Sequence, residues 1–404
     1  MTKIKEDLLN IFQAAINAVA GDQVVKKEVT GEKYLDKYHI IAIGKAADAM
    51  LQGLPDEKII DGLLISKHGH ISDKLQHDSR FICIESDHPI PKNASILAGK
   101  TLLDYIDKLP PNAPCLFLIS GGASALVEVL QDNWSLEDLA DMTDYLLANA
   151  YSINEINAIR RKTSKIKGGG LWHYLNHRPV TCLLISDVPN DSPQDIGSGL
   201  LFPASIDSLT ALPPNLPKKW SSKIKKNKSV QTPKNFDWKI IASLSNAKQA
   251  AADHAKKLGY SVTVVSDFLD GKAVDVARDC VEMINRNPQT LFIWGGETTV
   301  ILPKNAGKGG RNQHLALASA IQMDKLSDCY LLTAGTDGSD GLSTATGALV
   351  DSLTLARGHK LNLNAADFLQ NADSNTFFSK INEVIMTGAT GTNVMDLVFA
   401  IKEK

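Results

Sequence analysis

The stretch "YHIIAIGKAADAM", Tyr38–Met50, sets an apolar run directly against a glycine, a lysine and the start of a helical pattern. Tyr38 to Ile43 carry little polar surface, as expected of a strand covered on both faces. Gly44 breaks the run, and Ala46 and Ala47 begin a helix-forming stretch. A cation at a helix start opposes the helix dipole. Helix propensity therefore does not explain Lys45. It is either a surface lysine or the partner of an incoming phosphate or carboxylate.

The same strand, turn and helix sequence recurs further along the chain. "DGLLIS" (Asp61–Ser66), "FICIE" (Phe81–Glu85), "CLFLIS" (Cys115–Ser120) and "VTCLLIS" (Val180–Ser186) are further strand candidates, with helical runs between several of them. That alternation predicts a three-layer α/β fold with a parallel sheet. A long helix pair is expected between Leu136 and Lys167. From Pro203 to Trp238 the pattern breaks into a stretch rich in Pro, Ser and Lys, which reads as a domain connection with one short helix. The second half begins with "KIIASLS" and a helix through Ala247–Lys257. "YSVTVVS" follows, then a helix from Ala273 to Ile284. Strands are expected at Leu291–Trp294 and Thr298–Leu302, and a helix begins near Asn312. "CYLLTAG", a helical Asp/Asn-rich segment and a strand around Val394–Ile401 complete a second α/β domain with a mixed sheet.

A chain of 404 residues fits two such domains, and 44% hydrophobic with 22% charged residues is ordinary for a globular core. A net charge of −2 argues against wholesale nucleic-acid binding. No apolar run approaches the roughly 20 residues of a membrane span. Asp7 interrupts the first apolar stretch, which has the spacing of an amphipathic helix rather than a signal peptide. The five cysteines are scattered and form no C-x-x-C pair, which suits a reducing cytoplasm.

In open α/β sheets ligands bind beyond the carboxyl ends of the strands. There the sequence offers Lys45, the turn Ser120-Gly121-Gly122-Ala123-Ser124, the acids Asp187 and Asp191, the loop Gly307-Lys308-Gly309-Gly310-Arg311, and Thr336-Asp337-Gly338-Ser339-Asp340-Gly341. Neither G-x-G-x-x-G nor a Walker A loop is present. The last loop fails as a calcium loop, because its twelfth position is Ala348. His68 and His70 lack a third ligand for zinc. Cations, glycine turns and acids without a cysteine or serine triad suit phosphoryl transfer, where catalysis is mostly positioning and charge neutralisation.

The ordered motifs "AIGKAADAM", "ISKHGH", "DHPIP", "SGGASAL", "INAIRRKTSKIKGGG", "SDVPNDSPQDIGSG", "QTPK", "GGETTV", "GKGGRNQ", "AGTDGSDG", "ALVD" and "TGATGTNVMDL" resemble the glycerate 2-kinase family over nearly the whole length. The resemblance implies a Rossmann-like domain over 1–235, a MOFRL domain over 236–404 and an active site in the cleft between them. It implies ATP-dependent phosphorylation of D-glycerate at the 2-hydroxyl with Mg²⁺, in a cytoplasmic enzyme compatible with a homodimer. Carried over, Lys45, Arg311, Asp187 and Asp337 are the catalytic candidates, with Arg311 aimed at an anion. Lys45, Arg160, Arg311 and Asn312 are expected to bind substrate. Ser120, Gly121, Gly122, Ser124 and Asn246 are expected to bind nucleotide, and Asp187 with Asp191 to bind the metal. The family pattern is broken at Lys92, Ala123, Asn190, Leu200, His314 and Ala389. Two alternatives are a catalytically weakened sugar-acid binding protein and an NAD(P)H-linked hydroxypyruvate reductase. The missing dinucleotide fingerprint speaks against the second.

Overall fold

The computed structural model describes residues 2–31, 33–34, 37–149, 151, 153–203, 216–224, 232–233 and 236–403. The chain forms two compact units. One is residues 21–241, and the other combines residues 1–20 with 242–404.

The first unit is built on a six-stranded sheet: β1 (Tyr38–Ile43), β2 (Ile59–Lys67), β3 (Phe81–Ser86), β4 (Cys115–Ile119), β5 (Val180–Ile185) and β6 (Asp237–Ala242). Its order is β3-β2-β1-β4-β5-β6, and the pairs from β3 through β5 are parallel. This is the doubly wound order, which reverses direction between β1 and β4. Ile40–Ile43 and Leu116–Leu118 are fully buried, so both faces of the central strands are covered, as their unbroken apolar composition requires. The expected helix pair is present as Leu136–Ala148 and Ile153–Thr163. "KIIASLS" contributes β6 to this first sheet rather than opening the second unit. Of the irregular connection, a short helix is found at Lys218–Ser221, while residues 204–215 and 225–231, and with them the first and last residues of "QTPK" (231 and 234), lie outside the described residues.

The second unit carries β7 (Ser261–Val264), β8 (Thr290–Gly296), β9 (Cys329–Gly335), β10 (Gly347–Asp351), β11 (Val384–Ile385) and β12 (Asp396–Lys402), in the order β11-β10-β9-β12-β8-β7. β7 and β8 are parallel and the other pairs antiparallel, so the sheet is mixed. The helix Ala273–Arg286 buries Ala273, Val276, Ala277, Cys280, Val281 and Ile284, the helical period read from the sequence. Each large aliphatic side chain so buried contributes about 1.5–3 kcal/mol.

Two expectations fail here. Thr298–Leu302 is not a strand: only Thr299 makes a bridge, to Lys272, and Ile301 and Leu302 are 75% and 66% exposed. Pro303 ends the run, and none of the described strands pairs with it. Conversely, β10 and β11 arise where a helical segment is expected.

The N-terminal helix Lys3–Val19 folds with the second unit. Its apolar stripe includes Leu8, Ile11, Phe12, Ala15 and Ile16, and Phe12 meets Phe399 of β12 edge-on at 6.4 Å. Asp7 is the residue that breaks the apolar run, and it accepts a 2.7 Å hydrogen bond from the Tyr260 hydroxyl.

Candidate active site

At the switch point of the first sheet, the loops after β1 and β4 are joined atom by atom. The Lys45 amide donates to the Gly121 carbonyl (2.9 Å), the Ser120 amide to the Ile43 carbonyl (3.0 Å) and the Ala46 amide to the Ser120 hydroxyl (3.0 Å). Gly44 must be glycine: its φ is +134°, and a Cβ there would lie 2.2 Å from Ser120 Oγ. At the end of β2 the Ser66 hydroxyl donates to the Gly44 carbonyl (2.9 Å). Gly122 adopts φ +85°, and a Cβ on it would crowd His88 at 3.1 Å and Lys45 Cγ at 3.2 Å. Ser124 and Ser198 share a hydrogen bond of 2.7 Å. Lys45, Ser120, Gly121, Gly122 and Ser124 are therefore neighbours, joined by Ser198 and by His88, which was not among the expected site residues. Ser120 is fully buried and acts as a tie between the loops. The helix Ala123–Leu126 has only four residues, too short for an appreciable dipole, so polarity here comes from the turn itself.

The acids after β5 behave differently from each other. Asp187 is half-buried. Asp191 lies in the turn Pro189–Asp191, where it and Asn190 both have positive φ, 51° and 61°. Asn190 stands where the family motif has glycine. Asparagine is among the few residues that tolerate that region, so the backbone turn survives. Among the described residues no group of three or more His, Cys, Asp or Glu side chains is placed to hold a metal ion.

The basic run of the helix Ile153–Thr163 is not a solvated face. Arg161 and Lys162 are buried, and Arg161 pairs with Asp195 and donates to the Gln194 carbonyl (3.1 Å). Lys167 and Glu128 form an ion pair sealed from water, with both side chains 1% exposed. Arg160 sits within reach of this pair's charge; burial works against its own charge and the Glu128 carboxylate favours it.

Two polar residues stand at helix starts. Asn246 is exposed, and its carboxamide oxygen accepts from the Ser243 amide (3.0 Å), capping the helix Leu244–Lys257. Lys92 replaces a family aspartate at the start of the helix Asn93–Lys108, and a lysine cannot accept from helix amides. Asp87 accepts from the Ala94 amide there instead, at 3.0 Å.

In the second unit the glycine loop packs against acids. A Cβ on Gly307 would lie 2.3 Å from Asp373 Cβ, and one on Gly310 would lie 2.3 Å from Asp340. Asp340, which is 2% exposed, accepts from the amides of Asn312 (3.0 Å) and Gln313 (2.8 Å) and from the Gln313 side chain (2.9 Å). The N-terminus of the helix Arg311–Met323 thus already holds an anion, a carboxylate of the protein. Burial raises the Asp340 carboxyl to about 6 against the pull of its amide partners. Its linkage contribution therefore favours folding at acid pH, below the unfolded carboxyl's pKa near 4, and is lost as pH rises through about 6.

Arg311 likewise meets carboxylates of its own chain. Its guanidinium grips both oxygens of Asp396 and donates to Glu297 Oε1 at 2.6 Å. The Asp396 side chain is 6% exposed and that of Glu297 47%. The Asp337 carboxylate accepts from the Ser339 amide (3.0 Å), and it and Asp396 flank Gly335 alike, each 3.4 Å from where a Cβ would lie. The Asn312 carboxamide faces inward and accepts from the Thr333 hydroxyl (2.7 Å). His314, a departure from the family pattern, is buried. Burial lowers its pKa, and among the described residues its Nδ1 has no hydrogen-bond partner. Ala389 is exposed in the loop before β12.

A doubly wound sheet with a lysine at its switch point, joined in sequence to a mixed-sheet unit with a guanidinium held among carboxylates, defines a two-unit α/β protein suited to anionic substrates. Residues 7–223 match the family described as "Domain of unknown function (DUF4147)", and residues 290–396 match the MOFRL family. The chain is 32% identical over 417 residues to the D-glycerate 2-kinase of Thermotoga maritima, covering 98% of both chains. It is 31% identical to the glycerate 2-kinase of Pyrococcus horikoshii, covering 96% of this chain and 93% of that one. The crystal structure of the Thermotoga maritima glycerate kinase superposes with a TM-score of 0.81 at 30% identity, over 99% of each chain. The chain belongs to the glycerate 2-kinase family.

Proposed function

We propose that this protein transfers the γ-phosphoryl group of ATP to the 2-hydroxyl of D-glycerate, giving 2-phosphoglycerate and ADP. The observation that carries this reading is Lys45, at the switch point of a chain related over its whole length to D-glycerate 2-kinases. In such a transfer the protein mainly positions the reactants and neutralises charge. Lys45 neutralises the transferring phosphoryl group or binds the glycerate carboxylate, with the turn Gly121–Ser124 beside it receiving nucleotide phosphate. Arg160 adds positive potential. Arg311 meets substrate by exchanging its exposed partner, Glu297, for a ligand anion, while buried Asp396 keeps the guanidinium oriented. A half-exposed ion pair of that kind is worth only about 0–1 kcal/mol, so the exchange is cheap. Asp337 accepts or orients the hydroxyl proton.

Mg²⁺ carried largely by nucleotide phosphates and water needs only one or two protein carboxylates. Asp187, with Asp191 nearby in sequence, is of that kind and fits the role. When bound, the ion would offset phosphate charge. Scattered cysteines without a disulfide support a cytoplasmic location, and no described helix is long and apolar enough to cross a membrane.

The test is ADP release across small 2-hydroxy acids while Mg²⁺ is titrated, in the wild type and in Asp187→Asn. Turnover with D-glycerate is expected, with a higher Mg²⁺ requirement in the variant. Absence of ADP with every acid would sink the kinase reading. An identical Mg²⁺ titration would remove Asp187 from the metal's neighbourhood.

A further inference from the structure

We propose that the second unit carries a binding site for small apolar carboxylates, in a cavity between the helices Ala273–Arg286, Arg311–Met323 and Ala365–Gln370. None of the residues lining it is among those expected to hold glycerate, nucleotide or metal, so binding here does not depend on the kinase reading.

The cavity measures about 430 Å³, within the ~300–1,000 Å³ of small-molecule sites. Its apolar wall comes from Val274, Val300, Ile301, Ile321 and Leu369. The stretch through Val300 and Ile301 joins none of the described strands, yet it is tied down beside them. The Ala273 amide donates to the Thr299 carbonyl at 2.9 Å, and Lys272 and Thr299 form a bridge. Val274 and Ile301, 42% and 75% exposed, therefore present apolar surface to solvent from a fixed frame. A short alkyl chain laid along that wall removes it from water.

Polar groups meet the wall at two places. Among the described residues, Lys272 is the one charged side chain lining the cavity. It is also the N-cap of the 14-residue helix Ala273–Arg286, and no side chain caps that end. The Lys272 carbonyl accepts from the amides of Asp275 (2.9 Å) and Val276 (3.0 Å), and the Thr299 carbonyl takes that of Ala273. Val274 thus has the first-turn amide left for a ligand. An ammonium and the positive end of a helix dipole both favour an anion. The acid of that first turn, Asp275, is engaged with Arg278 at 3.3 Å.

The second place is His314. It lines the cavity, is 8% exposed, and its Nδ1 is buried with no hydrogen-bond partner among the described residues. Burial holds the ring neutral. A neutral imidazole offers one donor and one acceptor, and leaving them unmet is costly. A ligand in the cavity lies against this ring, so the imidazole also reports its arrival.

The probes are octanoate and octylamine, which share a chain and differ in charge, each competing against anilinonaphthalenesulfonate fluorescence on the full chain. Octanoate should compete about tenfold better than octylamine, the combined weight of an exposed ion pair and a helix end. Lys272→Glu, an exposed substitution at a helix start that tolerates acids, should cancel or reverse that preference and leave unfolding unchanged. Ile301→Asp, at an equally exposed position, should weaken both probes. Octanoate should also shift the imidazole NMR signals of His314, identified among the ten histidines by their loss in His314→Gln. Equal competition by the two probes overturns the proposal, as does a preference that survives Lys272→Glu. Dye displacement that is indifferent to Ile301→Asp, or that comes without a shift at His314, puts the binding elsewhere and overturns it too.

Discussion

Lys45→Met should lower kcat by about 10²–10³, the usual consequence of removing one charged donor from a site where charge develops. The substitution is well suited to isolate the charge. Methionine keeps an unbranched stem beside Gly122, and the backbone amide of residue 45 still reaches the Gly121 carbonyl. Thermal unfolding of the variant should therefore stay close to wild type while turnover collapses. Lys45→Arg should not restore activity. The guanidinium is broad and planar where the ammonium is compact, so the two differ in shape and donor geometry. Wild-type kcat and KM in Lys45→Met would remove the lysine from the chemistry and leave it as packing.

Arg311→Met is expected to lose turnover to a similar extent, about 10²-fold or more, but with a second signature. Asp396 is nearly buried and Arg311 is its ion-pair partner, so the variant strands a carboxylate. A stability loss of roughly 1–3 kcal/mol should appear in denaturant titration. Arg311→Lys keeps the charge yet cannot bridge both oxygens of Asp396 and Glu297 together, so it should recover stability better than rate. Kinetics and unfolding must be measured on the same preparations. Arg311→Lys with wild-type kcat would show that the fork is dispensable and that Arg311 serves only to balance Asp396.

The parts of the fold legible in the sequence are those that local composition dictates. Tyr38–Ile43 and Cys115–Ile119 are almost wholly apolar because both faces of a central parallel strand are covered, and the strand-end rule then leads directly to Lys45 and Gly122. What sequence alone hides is partnership across long separations. The stripe of the N-terminal helix says that one face is buried, but not that Phe12 packs on Phe399. Arg311 reads as a cation awaiting an anion, and only the fold brings Asp396 to it from 85 residues away. The glycines of residues 307–310 read as a loop that aims Arg311 at an anion, whereas their Cβ positions are occupied by Asp373, Ser374 and Asp340. Asp340 could have been suspected from its place in an acid-rich strand-end loop, but its use as a cap for a helix 27 residues earlier leaves no local signal. Thr298–Leu302 shows the opposite error: an apolar run suggested a strand where none of the described strands pairs with it.

The position phosphorylated follows from how the substrate is held. A cation holding the glycerate carboxylate fixes the adjacent 2-hydroxyl, while the 3-hydroxyl rotates freely, and near-attack placement is worth several kcal/mol. The direct measurement is to incubate the protein with ATP, Mg²⁺ and D-glycerate, add enolase alone, and follow phosphoenolpyruvate by its ultraviolet absorbance. Absorbance should rise without any phosphoglycerate mutase, because 2-phosphoglycerate is enolase's own substrate. Absorbance that rises only once mutase is supplied would mean that the 3-hydroxyl is phosphorylated, and would contradict transfer to the 2-hydroxyl.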